Sequence, residues 1–212
     1  LTVGTKSVLF GVHQFLIHPV LLFIAWWKLY GFPWDPRLWV AFIVHDLGYV
    51  GKPNMDGPEG ESHPFLGARI MSLLFDAKSI RCLGDDSTRT IYSLGHWGMF
   101  TLLHSRYLAK KLGEQPSRLA IADKLVIAIE PSWLYLPRAI ASGEINDYFE
   151  QALKCRPDEG GDAREALQMI LDNGRTRNAW LWHAGVRAYM RIWVELHRDG
   201  AQDNMTSATR GN

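Results

Sequence analysis

Two features of the sequence predict an all-α protein. Apolar residues recur at spacings of three and four rather than in alternation, and Pro, Gly and small capping residues cut the chain into pieces of about 10 to 20 residues. A first helix is expected from His18-Pro19, because Pro suits the first helical turn, and Gly31 ahead of Pro33 ends it. Its apolar run, Pro19 to Trp27, is far short of the roughly 20 residues a bilayer requires, so it reads as a core helix. A second helix from Pro36 or Arg37 to Gly48 contains the unbroken stretch Leu38-Trp39-Val40-Ala41-Phe42-Ile43-Val44, which implies burial on every side and a central position. The Gly- and Pro-rich segment Tyr49 to Glu61 is a loop that passes over the end of that helix.

Ser62 or His63 caps a third helix that starts at Pro64 and runs to about Phe75. Ser87 caps the next stretch, which Gly95 and Gly98 weaken, so a break is expected there and a stronger helix from about Met99 to Leu112, stopped by Gly113. Ser117 caps a helix to Glu130, and Pro131 ends it. Shorter helices follow around 133–141 and 143–154, then a turn at Glu159-Gly160-Gly161-Asp162 and a C-terminal pair, roughly 163–172 and 177–198. A helical core over 1–130, helices over 131–198 that complete or cap it, and a frayed polar tail over 199–212 together make one domain.

Composition narrows the function. Of 212 residues, 47% are hydrophobic and 21% charged, which is globular and not disordered. A formal net charge of +1 supplies no global field for a nucleic-acid polymer or an anionic membrane, so any phosphate binding must be local. With only Cys82 and Cys155 there is neither a disulfide framework nor a thiolate zinc site, and the start of the chain has no signal-peptide pattern; both point to the cytoplasm. The GxxxxGK[ST], GxSxG and HExxH signatures are absent.

What remains is histidine, eight in all, several within or at the start of apolar helices, where each ring nitrogen needs a partner. His45-Asp46 ends the most apolar helix and places a carboxylate where desolvation is costly, so it needs a cation. Asp123 is a second acid in apolar surroundings; its plainer role is an ion pair with Lys124 or an Arg. His18, His45, Asp46, His63 and Asp123 form an N/O ligand set without sulfur, suited to a first-row metal. His13 competes with His18 for the first position; His18 is preferred because it leads a helix, 27 residues before His45.

In this order, His18, then Val44-His45-Asp46-Leu47-Gly48-Tyr49, then Ile121-Ala122-Asp123-Lys124-Leu125, the chain resembles the HD-domain superfamily over residues 13–127. Ser62-His63-Pro64-Phe65-Leu66-Gly67-Ala68 is similar to the HP-x-x-GA segment of the HD-GYP branch, although the Gly-Tyr-Pro element and adjacent His pair of that branch are missing. The resemblance implies an HD-like helical bundle with additional C-terminal helices, and one or two divalent ions drawn from Fe, Mn, Zn, Ni or Mg. His63 becomes the candidate ligand of a second metal, with His104 favoured over His96 as its fellow; two helical turns, about 12 Å, separate those two, so both cannot bind one ion. His96 is left for substrate contact or structure.

The implied activity is phosphohydrolysis of a small phosphorylated or nucleotide substrate by a metal-activated hydroxide, with Asp46 shared between the metals. Lys52 on the Gly-rich loop and Arg106 beside His104 are the expected cations, and Asp56, Glu59 and Glu61 the candidate proton donors. The rival implication is an HD-fold diiron oxygenase acting on organophosphonates or polyols, kept alive by the stretch His104 to Lys111. His183 and His197 read as structural, and Trp180, Trp182 and Trp193 as core or as the interface of a homodimer.

Overall fold

The computed structural model describes residues 1–76, 94–154 and 161–200. Within them every regular element is helical and no strand occurs. The α-helices are α1 (Val3–Phe10), α2 (Ile17–Tyr30), α3 (Pro36–Val44), α4 (Pro64–Phe75), α5 (His96–Leu102), α6 (Arg106–Lys111), α7 (Arg118–Ile129), α8 (Ser132–Ser142), α9 (Glu144–Lys154), α10 (Arg164–Arg175) and α11 (Ala179–His197). The expected stops operate: Gly31 ends α2, Asp35 accepts from the Arg37 N–H ahead of α3, Ser117 accepts from the Ala120 N–H at the start of α7, and Gly143 closes α8 in the left-handed region. No helix among the described residues is long and apolar enough to cross a membrane.

Three sequence expectations need correction. The helix α1 is not anticipated, because its buried residues are Gly4, Ser7 and Val8, a small and polar face with no apolar period to read. The helix α3 is not buried all round: Trp39 and Ile43 are exposed, as are Val20, Ile24 and Trp27 on the outer face of α2, whose Leu22, Ala25 and Trp26 lie in the core as expected. Their outward aromatic rings pack on one another instead, Phe23 lying 5.0 Å from Trp39 and 5.7 Å from Phe32 between ring centroids. The expected break at Gly95–Gly98 falls later, between α5 and α6. Gly98 stays helical against Ser72, whereas Ser105 takes extended backbone and accepts from the Leu108 N–H, starting a new helix. The expected Ser87 cap, both cysteines and the tail beyond 200 lie outside the described residues.

Two apolar clusters meet along α7, which packs on α2 on one side and on α11 on the other. One joins α2, α3, α4 and α7 through Leu22, Phe42, Met71 and Leu119. The other joins α8 to α11 through Leu136, Phe149, Leu171 and Trp193. Trp182 and Trp193 belong to this second core, whereas Trp180 is exposed.

Candidate metal centre

Six side chains converge at the junction of the two clusters. His18 stands in the first turn of α2, where the Gln14 side-chain oxygen accepts from the Ile17 N–H and holds the helix start. His45 and Asp46 follow the last turn of α3, where the chain tightens into a 3-10 turn, Leu47–Tyr49. His63 immediately precedes Pro64 of α4, His104 sits in the break after α5, and Asp123 is in the middle of α7. The doublet can approach His63 because Gly67 has no side chain: a Cβ there would lie 2.7 Å from the Val44 oxygen and 2.9 Å from His45 Cα.

Backbone carbonyls fix the nitrogen roles of His45, His63 and His104. Nδ1 of His45, His63 and His104 lies 3.2, 2.7 and 2.6 Å from the carbonyl oxygens of Phe42, Gly60 and Thr101. A carbonyl can only accept, so each Nδ1 carries the proton, and in the neutral ring Nε2 presents a bare lone pair. The lone pairs of His63 and His104 face one another, with Nε2 atoms 3.0 Å apart. No carbonyl fixes His18: its Nδ1 is buried without a partner, and its Nε2 lies 3.3 Å from His45 Nε2 and 3.2 Å from Asp123 Oδ1. Burial, then the neighbouring His104, holds the His63 pKa well below its ordinary value, and burial also lowers that of His18 against the pull of Asp123 and Asp46.

The carboxylates complete the cluster. Asp46 Oδ2 is 3.1 Å from His45 Nε2 and 3.4 Å from His18 Nε2, while Oδ1 is 3.4 Å from His104 Nε2 and 3.6 Å from His63 Nε2. Asp123 Oδ1 is 3.2 Å from His18 Nε2. Burial alone would raise both carboxyl pKa values; it is outweighed at Asp46 by positive charge on His45 and His13, the charge a bound cation would supply where those rings are neutral, and at Asp123 by Lys124 and His18, so both are held well below the carboxylate range. Two groups therefore form, His18, His45, Asp46 and Asp123, and Asp46, His63 and His104, each with its ligand atoms within 4.8 Å of one another. All six residues are buried, and Asp46 Oδ2 has no hydrogen-bond donor. Facing lone pairs and buried carboxylates are unfavourable alone and become favourable around cations, so each of the two groups, with Asp46 common to both, fits a metal ion.

A cavity of about 200 Å³ opens onto one side of this cluster, with Asp46, His63, His104 and Asp123 in its wall and His18 and His45 behind it. Two cations share that wall. Lys124 Nζ is 2.6 Å from Asp123 Oδ2, and Arg106 lies 5.0 Å over the Trp193 ring, with Nη1 buried and unpaired. The Asp123–Lys124 ion pair foreseen as the plainer role of Asp123 thus forms, within the cluster itself.

Other expected residues are elsewhere. Lys52 is absent from the cavity wall because its Nζ donates to Ser62 Oγ at 2.6 Å, tying the loop to the turn before His63. His96 is exposed at the start of α5, against Trp97, and does not reach the cavity, since Gly95 begins the helix with that side chain outward. Of the loop acids, Asp56 and Glu61 line the cavity, while Glu59 accepts from Asn54 Nδ2 on the surface. His13 joins neither ligand group.

Sequence reasoning missed Glu144 entirely. It is fully buried at the start of α9 and accepts from Ser7 Oγ, the Val12 N–H, Ser142 Oγ and Tyr148 Oη at 2.7 to 2.9 Å. Its Oε2 is 3.3 Å from His13 Nδ1, which also meets Ser7 Oγ at 2.9 Å, so Glu144 orients a histidine of the cavity wall. An acid in the first turn of a helix is commonplace, and nothing in the sequence marks this one. Tyr49, stacked 3.9 Å from the His63 ring, was seen only as a neighbour of the doublet. Compared with known proteins, the chain matches no family model, no curated protein and no solved structure. The reading of function therefore rests on the chemistry of these side chains.

Proposed function

We propose that this chain is a metal-dependent phosphohydrolase of the HD type, acting on a small phosphorylated substrate at a centre of two ions. The observation that carries this reading is the asymmetry of the cluster. Four residues close around one position, whereas Asp46, His63 and His104 leave a second position open toward a cavity that also holds Arg106 and Lys124. Divalent ions so placed would lower the pKa of water toward neutrality and draw charge from a phosphoryl oxygen. The chain does the rest: Asp46 spans the two groups with one oxygen each, and the carbonyls of Phe42, Gly60 and Thr101 keep three imidazoles in the ligating tautomer. Arg106 and Lys124 offset the phosphoryl charge, Arg106 in the place expected of it and Lys124 in place of Lys52. Asp56 and Glu61 are the acids of the wall for the leaving group.

The same asymmetry, one position enclosed and one open, also suits oxidation of an organophosphonate or polyol with dioxygen. Metal analysis of the purified protein, with electron paramagnetic resonance before and after mild reduction, separates the two. About two ions per chain without a mixed-valent iron signal, with phosphate release from a phosphomonoester panel, is the expected result. His63→Ala and His104→Ala should lose one ion, and Asp46→Ala both. A mixed-valent diiron signal moves the assignment to the oxygenase, and an Asp46→Ala protein that keeps its metal and activity overturns the site.

A further inference from the structure

The cavity has two chemically different walls. One is the ligand cluster with Arg106 and Lys124. The other is built by α9, α10 and α11 and presents Ala152, Leu167, Ile170, Trp182, Val186 and Met190. Two polar groups of that second wall are engaged within the protein: Tyr148 Oη donates to Glu144 at 2.9 Å, and Gln151 Nε2 donates to the Asp56 carbonyl at 3.1 Å. The Trp182 indole N–H is buried without an acceptor. The Trp182 ring lies parallel to Tyr148, 5.7 Å between centroids, and presents a flat aromatic surface.

A sugar or a nucleobase placed against these side chains would give up its hydration for few partners, at a cost of about 1–3 kcal/mol per unpaired polar group. Hydrocarbon would gain from the same transfer. Arg106 stands between the two walls. Its guanidinium lies over Trp193 and Tyr189 of α11 while its buried Nη1 lacks an acceptor, which an anionic oxygen would supply.

From this we infer that the site selects a small phosphate ester whose organic part is hydrophobic, a short alkyl or single aryl group, with its anionic end at Arg106 and Lys124 and its tail against α10 and α11. The sugar and base of a nucleotide are too polar for this wall. The inference rests on the phosphohydrolase reading and narrows it.

The test is binding to the metal-loaded protein by titration calorimetry. Inorganic phosphate, methyl-, ethyl-, propyl-, butyl- and phenylphosphonate serve as non-hydrolysable stand-ins, and adenosine monophosphate as the competitor class. Affinity should rise about fourfold per methylene along the alkyl series, and phenylphosphonate should bind at least tenfold more tightly than adenosine monophosphate. Val186→Phe, which fills the tail wall, should flatten the series; Met190→Phe serves the same purpose if the first variant does not fold. A flat series in the wild-type protein, or tighter binding of the nucleotide, overturns the inference while leaving phosphate recognition standing. If not even inorganic phosphate binds the metal-loaded protein, both the inference and the phosphohydrolase reading fall. A filled-wall variant that folds and keeps the full chain-length dependence also overturns the inference.

Discussion

At the scale of single residues, the chemistry is decided by what each histidine nitrogen faces. His45, His63 and His104 each give one nitrogen to a carbonyl and turn the other inward, and this arrangement cannot be read from sequence, because a residue letter carries no tautomer. What was legible is the pairing of an acid with a histidine in an apolar run, since burial of a carboxylate demands a compensating charge. Glu144 was illegible because its donors come from α1, the turn after it, and α8, all distant from it or unremarkable in sequence. His183 shows the contrasting, structural use of a histidine. Its Nδ1 meets Ser132 Oγ at 2.9 Å, its ring stacks 4.1 Å from Tyr135, and burial, then Arg187, lowers its pKa to about 4 from 6.5. It is neutral in the fold, whereas the unfolded chain takes up a proton once pH falls below about 6.5. Folding stability from this group is therefore intact above that pH and is lost progressively as pH falls to about 4. The loss should reach about 2 kcal/mol between pH 7 and 5. Urea midpoints of wild type and His183→Gln at the two pH values measure it, and an identical pH slope in both proteins would refute the assignment.

At the scale of elements, boundaries set by capping chemistry were legible and those set by close packing were not. Pro64 to Phe75 and Ser117 to Ile129 follow from a capping residue or helix-starting Pro and from the apolar period after it. The break at His104-Ser105 was misplaced because Gly98, a helix-weakening residue by propensity, is needed where α5 lies against Ser72 of α4. Gly67 acts in the same way on the site itself, since α4 crosses the end of α3 at van der Waals distance. Gly67→Ala should force those two helices apart, costing about 1–3 kcal/mol. Because His45 and Asp46 hang on one helix end and His63 on the other, the second metal should be lost first. Thermal melts combined with metal stoichiometry check this. A Gly67→Ala protein with the wild-type melting temperature and full metal content would show that the close approach is unnecessary.

At the scale of the whole molecule, the ligands come from five separate segments, and the cluster lies where the α2–α4 and α8–α11 cores meet across α7. The sequence separated a helical core at 1–130 from later helices but left their role open; Leu167, Ile170, Val186 and Tyr189 now stand in the cavity wall, so those helices form part of the pocket. Such long-range placement has no local signature, whereas the order of ligands along the chain does. A consequence follows for stability. Without metal, the unfolded chain disperses the facing lone pairs and the two carboxylates, while the folded chain must hold them within a few ångströms. Ions that bind only the folded state stabilise it by an amount set by their concentration over Kd, about 4 kcal/mol at a thousandfold excess. For a chain of this length that corresponds to a rise in Tm of roughly 10 °C. Chelation should therefore lower the melting temperature by about that much, and adding the native metal back should restore it. Asp46→Asn should blunt the response, because the variant loses the charge that both groups share. Identical melting of chelated and metal-loaded wild-type protein would mean that the cluster is held by protons and packing alone, and the metal centre would have to be abandoned.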